Sequence, residues 1–251
     1  PYLQESYDNA GLIVGDQEMT ISGVMTCLDS TEAVINEAIE RKCNVVVAHH
    51  PIVFKGLKSL TGVTYVERVV MKAIKNDIAI YAIHTNLDNV YYNGVNGKIA
   101  ERLGLIRTTI LSPKATSTDE QPIGSGMIGE LKAPMKELSF LAFLKKTMQT
   151  DCIKHTKLRH LPIQKVAVCG GAGGFLLSKA IAQEADIFIT SDYKYHEFFD
   201  ADDKIIIADI GHFESEQFTS NLLATLISEK FPSFAAILTT IHTNPVYYYT
   251  G

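Results

Sequence analysis

Tryptophan is absent from the 251 residues, an absence that excludes nothing by itself. Other gaps say more. No run of about 18 or more apolar residues occurs, so no segment is expected to span a membrane as a helix. The basic excess of a nucleic-acid-binding chain is missing: Lys and Arg total 23 against 28 Asp and Glu, a formal charge of −5. Nucleic acid is therefore not an expected partner. The four cysteines, Cys27, Cys43, Cys152 and Cys169, form no CxxC pair. That spacing argues against a zinc site built from them and reads as reduced thiols in a cytoplasmic protein. The opening PYLQESYDNA has no initiator Met, basic n-region or apolar stretch, which reads as a start inside a domain rather than a signal peptide. Low-complexity segments and short repeats are also lacking.

What is present is an ordinary globular composition, 46% hydrophobic and 20% charged, long enough for one large domain or two modest ones. Residues 21–28 (ISGVMTCL) read as a strand. Asp29, with Glu32 three residues on, reads as the capping-box start of a helix to about Arg41. NVVVA at 44–48 is a β-branched run expected to be a buried strand, and His49-His50-Pro51 ends it. The plan repeats with a helix over 64–76, a strand over 78–83 and then His84-Thr85-Asn86-Leu87-Asp88. A helix over 95–103 stops at Gly104. Turn formers concentrate in 112–126, where a boundary is placed. Beyond it come strands over 127–131, 165–169, 186–190, 204–210 and 235–241, with helices over 135–148, 175–183 and 214–229. This alternation predicts an α/β protein of two interlinked α/β domains, with largely parallel or mixed sheets in three-layer packing. The expected division is 1–111 plus 204–251, carrying a metal site, and 112–203 as the second domain.

Three strand patterns end in the same residue types. NVVVA runs into His49-His50, IAIYAI into His84 and then Asp88, and KIIIADI into His212 with Glu216 four residues later. Ligands of open α/β sheets bind beyond the carboxyl ends of strands, so these clusters predict a shared polar site. His212 and Glu216 share one face of a helix start. Imidazole and carboxylate suit zinc, iron, manganese, cobalt or nickel. Adjacent His49 and His50 diverge in extended chain, which suits two ions about 3.5–4 Å apart better than one, with Asp88 or Glu216 to bridge them. Taken singly, each element has a plainer reading: His212 with Glu216 as a helix-start pair, Asp88 as a turn cap before Val90. GGAGG at 170–174 is either a phosphate-holding turn or a tight turn with close packing. Asp192, Tyr195 and His196 form a surface cluster or, as the resemblance drawn below implies, a substrate-facing one, and Asp8-Asn9 is most simply a turn, with a role near the site implied by the same resemblance. His155, His160 and His242 show no partner pattern and read as structural or solvated.

Taken in order, Tyr7-Asp8-Asn9-Ala10-Gly11-Leu12, Ala48-His49-His50-Pro51, His84-Thr85-Asn86-Leu87-Asp88, Gly129-Glu130-Leu131 and Gly211-His212 through Glu216 resemble the Nif-three-like family, whose members are also described as type 2 homologues of GTP cyclohydrolase I. The resemblance covers nearly the whole chain. It implies a toroidal homohexamer with a dinuclear metal centre in each subunit. Matched motif by motif, it makes His49, His50, Asp88, His212 and Glu216 the metal ligands. His84 becomes a proton carrier outside the ligand set. It further implies a metal-dependent hydrolase acting on a nucleotide-like small molecule, with phosphoester hydrolysis a close rival. A metal-holding or protein-interaction scaffold without catalysis is the alternative. Three stretches depart from the family pattern: Tyr7 stands where Trp is usual, Thr190-Ser191-Asp192 where Thr-Gly-Asp or Thr-Gly-Glu is usual, and the approach to Gly129-Glu130-Leu131 is altered. None of them includes an expected ligand. The distance from Gly129 to Lys165 leaves no room for the mid-chain domain that some members carry.

Overall fold

The computed structural model describes residues 3–233 and 236–249. The N-terminal stretch supplies β1 (Gly11–Val14), β2 (Val24–Cys27), α1 (Glu32–Glu40), β3 (Val45–Ala48), α2 (Tyr65–Lys75), β4 (Ala79–Ala82) and the short α3 (Thr85–Asp88). There follow α4 (Val95–Arg102), β5 (Ile106–Pro113), β6 (Gly124–Met135), α5 (Glu137–Met148), β7 (Lys154–His155) and β8 (Ile163–Val168). The chain continues with α6 (Leu177–Ala182), β9 (Ile187–Thr190), β10 (Ile206–Asp209), α7 (His212–Glu216), α8 (Thr219–Lys230) and β11 (Ala236–Leu238). Residues 174–176 and 195–201 are 3-10 segments.

The result is an α/β protein with two mixed sheets. Contacts group the chain into two compact units. One contains residues 1–87 and 218–245, the other 88–217 and 246–251. In the first, the sheet order is β1-β4-β3-β2-β11. Strands β11, β2, β3 and β4 run parallel and β1 pairs antiparallel with β4. The parallel strands are short apolar runs, as expected where helices cover a sheet. Their core gathers Met25, Val34, Ile35, Val46, Val69 and Ile80, all buried. In the second unit the order is β5-β6-β8-β9-β10-β7, with β8, β9 and β10 parallel and the others antiparallel. Phe140, Leu144, Met148 and Phe188 are fully buried there. No helix among the described residues is long and apolar enough to cross a membrane. All four cysteines are free thiols.

Local chemistry explains the helix starts. Thr64 accepts a hydrogen bond from the backbone N–H of Glu67 and caps α2. The cap of α1 is Thr31, whose hydroxyl accepts from Val34 N–H. Asp29, read from sequence as that cap, has a different task, described below. Gly104, with φ at +66°, sits just beyond α4, in the left-handed conformation glycine tolerates. Strands β1 and β5 were not expected, because GLIV is short and IRTTILSP breaks its alternation. The expected helix over 214–229 is two helices, α7 and α8, separated where the chain leaves the second unit for the first. Ala235, the expected start of the last strand, lies outside the described residues.

One carboxylate fastens a loop in the first unit. Glu67 accepts from Thr61 N–H and Oγ1 at 2.9 Å each and from Val63 N–H at 3.2 Å. The Thr61 backbone N–H leads the interactions that pull its pKa from 4.5 to about 2. A folded-state pKa below the unfolded one contributes stability that is full above about pH 4.5 and fades as pH falls towards 2. Amide exchange protection at Thr61 and Val63 is expected to drop over that window. In Glu67→Gln it should start lower and show no acid step. Equal protection at pH 5 and pH 2 in the parent chain would defeat this assignment.

Candidate metal centre

Parallel register brings the first set of side chains to one end of one sheet. Cys27 pairs with Ala48, and Ala48 with Ala82. The residues just past this row therefore emerge together: Asp29, His49 with His50, and His84. Backbone bonds carry the ladder beyond the strands. His49 N–H donates to Cys27 O at 3.1 Å, His50 N–H to Leu28 O at 3.0 Å and His84 N–H to His49 O at 2.8 Å. The three imidazoles form a cluster, with ring centroids 4.7 Å apart for His49 and His50, 5.6 Å for His49 and His84, and 5.5 Å for His50 and His84. His49 is fully buried.

Carboxylates hold two of these rings by Nδ1. His50 Nδ1 lies 2.8 Å from Asp29 Oδ1, and Asp29 Oδ2 accepts from the Thr243 hydroxyl at 2.8 Å. His84 Nδ1 lies 2.6 Å from Asp8 Oδ1. The other Asp8 oxygen accepts from the N–H and hydroxyl of Thr85. Burial raises the Asp8 pKa, but the bonds from Thr85 and His84 outweigh it and hold the carboxyl below its ordinary range. His84 has a φ of +37°, a left-handed backbone uncommon for any residue but glycine. Strain of this kind collects at functional positions when the surroundings hold it in place.

The second unit carries a matching arrangement. Thr190 on β9 pairs with Asp209 on β10, so Asp192 and His212 follow neighbouring parallel strands. His212 Nδ1 lies 2.6 Å from Asp192 Oδ2, and its Nε2 lies 3.1 Å from Glu216 Oε2. The i, i+4 spacing seen in sequence thus becomes a contact across the first turn of α7. Burial lowers the His212 pKa, but Asp192 and Glu216 more than offset it and push it up to about 11. The His212 bond likewise holds Asp192 below its usual range. Asp192 at φ +60° and Gly211 at φ +92° make the turns that aim these groups. Asp88 closes α3, and its backbone carbonyl accepts from Asn96 Nδ2 at 3.0 Å. Burial, then the carboxylates of Asp88 and Glu216, push the Cys169 thiol up.

Of the two readings of the glycine-rich turn at 170–174, the structure favours the tight turn with close packing. Its amides are already engaged: Gly170 N–H by Asn96 Oδ1 at 3.0 Å, Gly171 N–H by Ser215 Oγ at 2.9 Å, and Gly173 N–H by Thr190 Oγ1 at 2.9 Å. A Cβ on Gly171 would come 2.5 Å from Glu216 Oε1. The absent side chains make room for the Glu216 carboxylate.

Every expected site residue is therefore found in one of two groups. His49, His50 and His84 gather in the first unit; His212 meets Glu216 in the second, to which Asp88 also belongs. Sequence reasoning missed the three carboxylates behind the rings. Asp8 reads as a turn or a residue near the site, Asp29 as a helix cap and Asp192 as part of a surface or substrate-facing cluster, and no spacing rule pairs them with their histidines.

Comparison with known proteins adds a family context. Residues 1–245 match the sequence profile of Duf34/NIF3 (NGG1p interacting factor 3). The GTP cyclohydrolase 1 type 2 homolog of Clostridium acetobutylicum is 35% identical over 215 residues, covering 85% of this chain and 79% of that protein. The protein of the same name from Campylobacter jejuni is 31% identical, covering 98% and 93%. The homolog from Staphylococcus epidermidis aligns over 357 positions, more than this chain's 251 residues, so that relative carries additional residues. Among solved structures, Staphylococcus aureus protein SA1388 superposes with a TM-score of 0.90 at 30% identity, covering 99% of this chain and 94% of that one. A Bacillus cereus protein related to NIF3 gives 0.92 at 24% identity, covering 99% and 95%, a likeness of fold.

Proposed function

This chain belongs to the Duf34/NIF3 family, and from that premise we propose that it is a dinuclear metal-binding protein that hydrolyses a nucleotide-like small molecule. The observation that carries the reading is the repeated histidine–carboxylate pair. His50, His84 and His212 are each held at Nδ1 by an aspartate, at 2.8, 2.6 and 2.6 Å. A carboxylate on one ring nitrogen fixes the tautomer and raises the basicity of the other, the usual support of a metal-ligating histidine. His49, His50 and Glu216 are a group of the kind that could hold a metal ion. Asp88 and His212 complete the proposed ligand set. Five protein ligands for two ions leave coordination positions open, which suits catalysis better than a closed structural site.

Divalent ions held there would supply Lewis acidity and lower the pKa of water towards neutrality. The chain's own residues supply the rest. Asp29 and Asp192 orient His50 and His212. Glu216 is kept in place by the glycine-rich turn. His84, outside the ligand set and oriented at Nδ1 by Asp8, is the proton carrier, through Nε2. His212 lies between two carboxylates and keeps its proton at neutral pH, so metal uptake is expected to release it.

The test is turnover of a panel of nucleotides and phosphoesters with zinc, manganese, iron, cobalt or nickel added. Expected is turnover that requires metal and falls by at least about 100-fold in His49→Ala, the scale on which loss of activated water acts. Metal retained without any metal-dependent turnover would sink the hydrolase reading and favour a metal-holding scaffold.

A further inference from the structure

A cavity of about 550 Å³ opens in the second unit, within the size range of small-molecule sites. Its lining comes from β7 and the residues just after it, from the 3-10 segment at 195–201, and from the turn that leads into β10. None of the lining residues belongs to the histidine and acid groups described above.

Two features of the lining are unusual. The first is an aromatic surface left bare. Tyr195 and Phe199 are 75% and 68% exposed, large values for side chains of this size, and their rings meet edge to face at 5.7 Å. Exposed aromatic clusters mark binding surfaces more often than isolated apolar residues do. The second is the state of the charges. Lys154 is committed to buried Asp209 at 2.6 Å, and Asp202 to Lys204 at 2.7 Å. Lys157 and Asp203 have no ion-pair partner among the described residues. The frame that carries them is fixed. Ala208 pairs with His155, Thr156 N–H donates to Ile207 O at 3.1 Å, and Ile207 N–H donates to Thr156 Oγ1 at 3.0 Å.

An exposed aromatic ring braced by a second, an uncommitted ammonium and an uncommitted carboxylate together match one class of small molecule. We propose that this cavity binds a nucleoside phosphate, with the base stacked on the face of Tyr195 beside Phe199, the phosphate on Lys157 and a sugar hydroxyl donating to Asp203. Stacking is tolerant of base identity because every base has a π face, so the cavity selects for class more than for one base. Lys157 supplies a point charge for the phosphate, and its loss should act mainly on phosphorylated ligands. This site stands apart from the metal reading and does not depend on it.

Adenosine monophosphate, adenosine and inorganic phosphate serve as probes, titrated calorimetrically into the full chain with chelator present to keep metal from capturing phosphate. The nucleotide is expected to bind saturably, with adenosine and phosphate each weaker by about tenfold or more. Tyr195→Ala should weaken nucleotide binding by about tenfold, the scale of one base–aromatic stack, and Tyr195→Phe should retain it. Lys157→Ala should weaken the nucleotide by a similar factor and leave adenosine unchanged. His49→Ala should bind as the parent does. Absence of saturable nucleotide binding overturns the proposal. So does binding unmoved by Tyr195→Ala and Lys157→Ala, or binding that His49→Ala abolishes.

Discussion

Replacing His49 and Glu216 together by alanine is expected to take the chain from about two bound divalent ions to almost none. Each side chain contributes a donor of the type divalent first-row metals prefer, and each belongs to a different unit of the chain. Losing an outer-shell partner already costs about 10–100-fold in metal affinity, and losing ligands outright costs more. Elemental analysis of parent and variant, both purified from metal-supplemented medium, reads the effect directly. Thermal melts of the metal-free proteins separate it from unfolding, since the variant should still melt cooperatively. Metal content that is substoichiometric in the parent, or unchanged in the variant, would mean that these strand-end residues serve another purpose.

Gly171→Ala should give a protein that folds yet binds metal about 10–100-fold more weakly, comparable to losing an outer-shell partner. The added Cβ would lie 2.5 Å from Glu216 Oε1. Glu216 is buried, so its carboxylate can yield only by leaving the position in which it meets His212. The backbone adds its own term. Gly171 has a φ of +63°, and alanine in the left-handed region costs about 1–2 kcal/mol. Gly104→Ala provides the control. Its φ of +66° imposes similar strain, but its Cβ meets nothing within 4 Å. The two variants should lose similar stability in denaturant melts, while only Gly171→Ala loses metal affinity in competition with a chelator. Equal metal affinities in the two would show that the glycine turn does not position Glu216.

Much of the site could be read from the chain because its motifs are local. His49-His50 ends a β-branched run, and His212 with Glu216 is an i, i+4 pair. His84 through Asp88 follows another apolar run. The α/β alternation was equally legible, since buried parallel strands are short apolar runs between amphipathic helices. The misreadings have local causes too. A capping-box pattern starting at Asp29 competed with Thr31, two residues nearer the helix, and Thr31 holds the cap. GGAGG left an anion-binding turn and a tight, closely packed turn open, and the bonds of three of its amides to Asn96, Ser215 and Thr190 favour the second.

By itself the sequence determined the strand ends, the residue types placed on them and, through those motifs together, the family. Tertiary structure alone decided which sheet each strand entered and which carboxylate stood behind each imidazole. β3 and β4 lie side by side in the first sheet, whereas β10 belongs to the second. Asp8 reaches His84 across 76 positions, Asp29 reaches His50 across 21 and Asp192 reaches His212 across 20. An aspartate in a turn has several local uses. Only register, which aligns the ends of parallel strands, and backbone torsion, which aims the side chain, select the distant histidine among them.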